Sequence, residues 1–232
     1  MSGVLYVYAI TDSLGGPTVI GLHGAPLQRV ASGPLAAVVS EHPRAPEPDE
    51  DTLWAHEQVV EELMESATIL PLRFGSSVAG PDALTAMLAE RREEFLAALE
   101  RVRGAVEVSV RGELPPGDSE DQLPQAGAPG GPEAPGAPGS GTAYLLERAE
   151  RERRERDAAE LVHRPLAALA RRSVPPANGA DPRHFKAAYL VEEGALEAFG
   201  ARVGELNAEL GAVRISATGP WPPYSFVGER SP

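Results

Sequence analysis

Histidine is the first residue type to consider for chemistry, because it serves both as a general base and as a metal ligand. His56 and Glu57 begin a pattern typical of zinc-protease helices. Val60, however, stands four residues after His56, where the second metal ligand would share the helix face. We therefore predict no metal site. None of the other histidines has ligand spacing: His23, His42, His163 and His184.

His56 itself falls at helical spacing among apolar residues, together with Leu53, Val60 and Leu63. A histidine in such a stripe is typical of the edge of a core, where it bonds a carboxylate or a backbone group. A catalytic histidine is the alternative interpretation. We favour the core histidine.

Motifs for phosphate binding and for nucleophilic catalysis are missing as well. The single lysine, Lys186, stands in a Phe-Lys-Ala context, so there is no Gly-Lys-Ser/Thr phosphate loop. No Gly-x-Ser-x-Gly elbow occurs. The chain has no cysteine, which excludes disulfides, thiolate metal sites and cysteine nucleophiles. The sequence thus predicts no catalytic residue and no cofactor, and an enzyme of another kind stays an open alternative.

Two segments carry residue types suited to contacts with another protein. Arg73 and Phe74 end an apolar run that begins at residue 69. A charge in such a run needs a partner. Glu57 or Glu61 on the preceding helix would supply it within the chain, and an anchoring contact to a partner protein is the alternative.

The second segment, residues 219–226, is stiff and aromatic. Its three prolines end a strand and favour a polyproline turn. Its aromatic rings either pack on the chain's own sheet or dock onto another protein, since aromatic residues are enriched in interfaces. With Arg73 and Phe74, the candidate partner-binding residues are Trp221, Pro222, Pro223, Tyr224 and Phe226.

Composition limits the class of protein that carries these segments. The 232 residues include 21 basic and 34 acidic side chains, for a formal charge of −13. Such a chain repels phosphate, which disfavours a non-specific nucleic-acid binder and a protein resting on anionic lipid. No apolar run approaches the roughly 20 residues of a membrane span, and the start lacks a secretory signal. We predict a soluble, cytoplasmic protein.

The first part of the chain, residues 1–112, predicts an α+β domain of ferredoxin-like character. Strands are expected at 4–10, 69–74 and 105–111, with a hairpin formed by 27–31 and 35–41. A helix over 52–67 is expected to bury Leu53, Val60, Leu63 and Ala67. A single second helix begins at Pro81 and stops at Gly104; its expected apolar stripe is Leu84, Leu88, Phe95, Leu99 and Val102.

Residues 113–141 divide the protein. Fourteen of these 29 residues are proline or glycine, and none is Val, Ile, Phe, Tyr or Trp. Such a segment cannot bury enough apolar surface to offset the entropy of ordering its backbone. We predict a flexible or partly extended linker. A docking peptide for an SH3-type partner is the alternative, and flanking basic residues that would favour it are lacking.

Residues 142–232 predict a second α+β domain with a long charged helix. Residues 147–157 hold five acids and five arginines, which gives a solvated helix without a face to bury. An apolar stripe of Leu161, Val162, Leu166 and Leu169 follows, and Pro165 is expected to kink the helix or to begin a new one. Strands at 185–191 and 212–218 flank a helix at 196–210.

Several of these segments occur together in one known family. The run Ser216-Ala217-Thr218-Gly219-Pro220-Trp221-Pro222-Pro223-Tyr224-Ser225-Phe226 resembles the signature of the gas vesicle GvpL/GvpF proteins. The His56-Glu57 helix that leads into Ile69-Leu70-Pro71-Leu72-Arg73-Phe74-Gly75 is similar to that family's other hallmark. The opening strand and Ala188-Tyr189-Leu190-Val191 fit too. The proline- and glycine-rich segment departs from the pattern and resembles an insertion.

The resemblance implies a non-enzymatic accessory or minor structural protein of gas vesicles, located in the cytoplasm and on the vesicle. It implies two α+β domains and partners among the hydrophobic shell protein and the other accessory proteins, with no nucleic acid or membrane. Two alternatives stay open: a ferredoxin-like small-molecule-binding protein or enzyme, and a scaffold that uses the charged helix as a spacer.

Overall fold

The computed structural model describes residues 3–13, 19–114, 140–178, 183–211 and 213–228. The chain forms two compact units. The first comprises Met1–Val108, Leu190–Gly194 and Gly219–Pro232, and the second comprises Ser109–Tyr189 and Ala195–Thr218. The expected second domain, 142–232, thus contributes two of its segments to the first unit. Residues 115–139, the greater part of the predicted linker, lie outside the described residues, so the linker stays a prediction.

The first sheet is built around its opening strand. It runs in the order β2-β3-β1-β4, with β5 pairing on β1, and every pairing is antiparallel. All residues of β1 after Val4 are buried. The predicted hairpin is confirmed as β2 and β3, which turn at Gly33 with φ of 60°. The strands are β1 Val4–Thr11, β2 Gln28–Ser32, β3 Leu35–His42, β4 Ile69–Pro71 and β5 Ser77–Val78.

Helix α1, Glu50–Ser66, begins at a capping box. The Asp49 carboxylate accepts the Thr52 backbone N–H at 2.8 Å, and the Thr52 hydroxyl lies 3.0 Å from the Asp49 backbone N. The helix does not bury Leu53 as expected: that side chain is 44% exposed. Thr52 and His56 occupy the buried positions instead, in line with Val59, Val60 and Leu63, and this line turns position 53 outward.

The predicted helix after Pro81 is two helices, α2 Pro81–Glu90 and α3 Arg92–Val102. Arg91 separates them with non-helical angles, φ −101° and ψ 21°. Its guanidinium lies 4.7 Å from the centre of the Phe95 ring and bonds Glu94. The expected stripe is nonetheless buried throughout: Leu84, Leu88, Phe95, Leu99 and Val102.

The second sheet runs in the order β7-β8-β6-β9. Its elements follow one another as strand, helix, strand, strand, helix, strand, which is the ferredoxin-like order. The sequence places that order in residues 1–112, where it is not confirmed, because three strands precede the first helix. The elements are β6 Ala105–Glu113, α4 Ser140–Ala167, β7 Arg172–Asn178, β8 His184–Glu192, α5 Leu196–Leu210 and β9 Arg214–Trp221.

Helix α4 is largely solvated, as expected, and carries ion pairs such as Glu150–Arg154 at 3.7 Å. The helix continues through Pro165 and ends two residues later, so the proline does not begin a new helix. The burial pattern differs from expectation in two ways. Glu155 is buried within the charged stretch. Leu161 and Leu169 are exposed, because the buried line runs through Ala159, Val162 and Leu166.

Helix α5 buries Phe199, Val203 and Leu206 and ends at Gly211, where φ is 37°. The Asn207 side chain bonds both the N–H and the carbonyl of Ile215, at 2.8 and 2.9 Å, and so joins the helix to β9. None of the helices in the described part of the chain combines the length and the hydrophobicity that a membrane-spanning helix requires.

Candidate functional site: a buried aromatic cluster and the C-terminal segment

His56 lies at the centre of a buried polar cluster in the first unit. Its side chain has no exposed surface. The Leu72 carbonyl lies 3.0 Å from Nε2 and the Tyr6 hydroxyl 2.9 Å from Nδ1. Since a carbonyl only accepts, Nε2 carries the proton and Nδ1 accepts from Tyr6. Burial lowers the pKa of His56, which favours the neutral ring. The predicted core histidine is confirmed, with a tyrosine and a backbone carbonyl as partners.

Aromatic rings enclose this histidine. Tyr8 stacks on it with ring centres 5.6 Å apart, and Phe74 meets it edge-on at 5.8 Å. Tyr6 lies 5.0 Å from Tyr8 and 5.7 Å from Phe74. These distances are within the range of favourable aromatic pairs. The Tyr6 hydroxyl also accepts the Gly75 N–H at 3.2 Å, which ties the segment after β4 to the cluster.

A second branch extends from Tyr8 across the sheet. The Tyr8 hydroxyl accepts the Leu22 N–H at 2.8 Å and lies 2.8 Å from the Ser40 hydroxyl. Ser40 in turn lies 2.7 Å from Nε2 of His42. Burial lowers the pKa of His42 as well. Within each branch, the polar atoms are therefore hydrogen-bonded to one another, as buried polar groups require.

Tyr224 brings residues 219–226, the C-terminal segment, onto this cluster. Its hydroxyl lies 3.2 and 3.3 Å from the Glu57 carboxylate oxygens and 3.3 Å from Nε2 of His56. Because a carboxylate only accepts, the hydroxyl donates to Glu57. Burial raises the pKa of Glu57, and burial beside this carboxylate raises the pKa of Tyr224.

Two further residues hold the same segment. The Glu107 carboxylate accepts both the N–H and the hydroxyl of Ser225, each at 2.8 Å. Arg101 donates to the Phe226 carbonyl at 3.3 Å. Hydrogen bonds to charged groups are the stronger kind. Pro222, Pro223 and Phe226 are buried. Hydrogen bonds and burial thus hold the segment against the other residues of the first unit.

The backbone at Gly219 fits closely where the segment begins. Its φ is 136°, a conformation that residues with a side chain rarely adopt, and a Cβ there would lie 2.8 Å from the Glu107 carbonyl oxygen. The following Gly219–Pro220 peptide is cis. Gly219 therefore permits the close approach of this segment to β6.

The predicted partner-binding residues divide into two groups. Phe74 and Tyr224 are partly buried against the core, and Pro222, Pro223 and Phe226 are buried. Only Arg73 and Trp221 are exposed, Trp221 to 42%. Packing on the chain's own structure is therefore the role that the structure gives to most of the aromatic segment.

The prediction that Arg73 pairs with Glu57 or Glu61 is wrong. Strand β4 ends at Pro71, so Arg73 lies beyond it and is exposed. Its guanidinium forms no ion pair with the residues that the structure describes, and Glu57 bonds Tyr224 instead. The charge needs no internal partner, because it stays in water.

Sequence reasoning missed three parts of this site. Glu107 stands in the apolar run of β6, and an acid in such a run is itself a signal of a buried contact. Tyr6 lies on the same strand face as Tyr8, but the sequence does not show that His56 meets both. Exposed Trp54, outside the apolar stripe of α1, gave no periodic signal.

The arrangement offers little room for a substrate. His56 is enclosed on every side by named groups, and its nitrogens bond protein atoms. Among the described residues, no three histidine or acidic side chains converge on a metal position. A cleft of about 460 Å³ elsewhere in the first unit is lined by residues that include Glu41, Gly80 and Asp82, and none of the cluster residues lines it. The cluster's geometry suits holding the C-terminal segment in place.

Comparisons with known proteins agree along nearly the whole chain. The family model described as "Gas vesicle synthesis protein GvpL/GvpF" matches residues 4–228. Gas vesicle protein F of a Streptomyces species is 33% identical over 239 residues, covering 96% of this chain and 98% of the relative. Gas vesicle protein L of the same organism is 30% identical, covering 96% and 92%.

Solved structures share the fold. The crystal structure of the gas vesicle protein GvpF from Anabaena sp. has a TM-score of 0.82 at 21% identity and covers each chain fully. That of GvpF from Microcystis aeruginosa has a TM-score of 0.76 at 18% identity, covering 98% of this chain and 100% of the other. At these identities the structural likeness shows the fold alone.

Proposed function

This chain belongs to the gas vesicle synthesis protein GvpL/GvpF family, and on that premise we propose that it is an accessory or minor structural protein that binds the hydrophobic shell protein during gas vesicle formation. The observation that carries the proposal is the family match over residues 4–228, together with relatives of matching length. The family supports a role in gas vesicle formation; the shell-protein contact, further accessory partners, the non-enzymatic role and the location in the cytoplasm and on the vesicle are the proposal.

Physical chemistry gives such a protein a clear task. A hydrophobic shell subunit exposes apolar surface in water, and exposed apolar patches aggregate unless they are covered. A partner with exposed aromatic side chains covers part of that surface. A formal charge of −13 then keeps the complex dispersed by repulsion between copies.

For the contact itself we propose Trp221 and Arg73 as the residues that touch the partner. Both are exposed, and both adjoin segments that the buried cluster fixes in place through Tyr224 and Gly75. Phe74, Pro222, Pro223, Tyr224 and Phe226 then act by holding these two in position. Rigid support lowers the entropy lost on binding.

The segment 113–141 keeps its proposed role as a linker. Its composition is that of a chain without a core of its own. In this proposal it joins the elements on either side and makes no contact with the shell protein. Replacing it with a glycine- and serine-rich segment of equal length is expected to leave gas vesicle formation intact.

The proposal is tested by deleting the gene that encodes the chain from its native organism and then measuring whether the cells float. Cells without the protein are expected to lose gas vesicles and sink, and the wild-type gene supplied in trans restores flotation. Normal vesicles in the deletion strain would contradict the proposal.

A further inference from the structure

Helix α1 presents two large apolar side chains to solvent. Leu53 is 44% exposed and Trp54 67% exposed, although they adjoin buried Thr52 and follow the capped start of the helix. Single exposed apolar residues are common on protein surfaces, but here two large ones are consecutive in the sequence. Tryptophan is also the residue type most enriched in the energetic centres of interfaces.

The patch is held rigidly from beneath. His56, two residues after Trp54, is bonded to Tyr6 and to the Leu72 carbonyl, and the Asp49 capping box fixes the first turn. Glu57, one turn beyond Leu53, is bonded to Tyr224. A surface on a rigid element loses little entropy on binding. The two side chains are therefore presented at a fixed place.

Charge on the same helix is entirely of one sign. Six of the 17 residues of α1 are acidic and none is lysine or arginine. Glu50 and Glu57 lie one turn before and after the exposed pair, and Glu61 lies one turn further along. The apolar pair is thus bordered by carboxylates, which favours a partner that brings positive charge, since a neutral partner leaves them without a counter-charge and an acidic one repels them.

We propose that Leu53 and Trp54, with the bordering Glu50 and Glu61, form a docking surface, the α1 patch, for a cationic amphipathic helix of a partner protein. The inference rests on the proposed function, in which that partner is a component of gas vesicle assembly. Leucine-rich faces flanked by arginine or lysine match both the apolar centre and the acidic border. A second copy of this chain is disfavoured, since two acidic helices would meet.

The test uses the full chain carrying Trp221→Phe, so that Trp54 is its single tryptophan. The probe is a synthetic amphipathic peptide of about 18 residues with a leucine face bordered by arginines, long enough for helix formation. Its matched control has glutamates in place of the arginines. We expect the cationic peptide to shift Trp54 emission to shorter wavelength and the acidic peptide to leave it unchanged.

Variants separate the apolar and the charged contributions. Leu53→Ser and the double variant Glu50→Gln, Glu61→Gln are each expected to weaken peptide binding by about tenfold, and the double variant also reduces its salt dependence. Leu161→Ser on α4, at a leucine that is 61% exposed and lies outside the patch, is the control and leaves binding unchanged. Equal affinity for both peptides, or no effect of Leu53→Ser, would overturn the inference.

Flotation distinguishes this inference from the proposed function. A deletion strain that sinks and is rescued fully by the Leu53→Ser, Trp54→Ser double variant would overturn the α1 patch and leave the proposed function standing. A deletion strain that floats would overturn the proposed function. Sedimentation of the purified chain tests whether a second copy occupies the α1 patch. Self-association that Leu53→Ser abolishes would assign the patch to a second copy and contradict the inference.

Discussion

At the scale of single residues, His56 decides how the first unit is assembled. Its two nitrogens join β1, through Tyr6, to the segment after β4, through Leu72. Tyr224 adds the C-terminal segment to the same point. One buried ring therefore connects three parts of the chain that lie far apart in sequence. A network of this kind is sensitive to the charge state of its central group.

Acid is expected to weaken this network. Burial lowers the pKa of His56 below its ordinary value of 6.5, so its contribution to stability is complete above that pH and is lost as the pH falls through the folded-state pKa. We expect the free energy of unfolding of the wild type to fall between pH 7 and pH 5 more steeply than that of His56→Gln, as measured by urea unfolding.

The variant His56→Gln controls for the other titrating groups of this network, because it retains both His42, whose pKa burial also lowers, and Glu57. Burial raises the pKa of Glu57 above its ordinary 4.5, which works in the opposite direction and is retained in both proteins. The difference between the two unfolding curves therefore reports His56. Parallel pH dependences would show that the ring does not carry the acid sensitivity.

Phe226 and Trp221 are expected to respond differently to truncation. Phe226 is buried, so Phe226→Ala removes core contacts and costs about 3–5 kcal/mol of unfolding free energy. Trp221 is 42% exposed, so Trp221→Ala is expected to cost far less stability while reducing the amount of shell protein recovered with the chain. Urea unfolding and affinity recovery measure the two effects. Equal losses of stability, with shell-protein recovery unchanged for Trp221→Ala, would contradict this division of roles.

At the scale of elements, periodicity predicted most helices and strands, because each buries a face whose spacing is local. Its failures have physical causes. Arg91 interrupts the helix after Pro81 through its non-helical backbone angles, which the spacing of apolar residues does not reveal. Leu53 is exposed because polar Thr52 and His56 take buried places through capping and hydrogen bonding. Pairing between distant strands, as in the neighbours β6 and β9, leaves no trace in local spacing.

The packing of the C-terminal segment also depends on contacts that local spacing does not reveal. Its aromatic residues were identified from the sequence, but their packing was not, since Glu57 and Glu107 lie more than 110 residues away from them. The sequence left packing on the chain's own sheet and docking onto another protein both open. The structure buries Phe226 and leaves Trp221 exposed, a distinction that residue type alone does not make.

The start of this segment gives a prediction about glycine. Gly219→Ala places a Cβ 2.8 Å from the Glu107 carbonyl oxygen at a φ of 136° and is expected to cost about 1–3 kcal/mol. Gly204→Ala is the matched control: it lies in α5, meets no atom within 4 Å, and is expected to stabilise the protein by about 0.5–1 kcal/mol. Thermal unfolding measures both. A neutral Gly219→Ala would contradict the proposed close approach.

At the scale of the whole molecule, acidity and exposed apolar residues together suit a protein that associates with a hydrophobic partner. Composition disfavoured the nucleic-acid and anionic-lipid classes of binder, and the motif search predicted no catalytic residue. Neither identified the partner, because a tryptophan on a surface marks an interface without naming what covers it. Family membership supports a role in gas vesicle formation, and the structure shows which of the candidate contact residues are exposed.

The central claim is that the chain binds the hydrophobic shell protein and keeps it dispersed. The direct measurement is the soluble fraction of that shell protein when it is diluted from denaturant into buffer with or without the purified chain, followed by size-exclusion chromatography. The shell protein is expected to stay in solution and to elute with the chain, and Trp221→Ala is expected to weaken this effect. Equal precipitation of the shell protein in both cases, with the chain eluting alone, would contradict it.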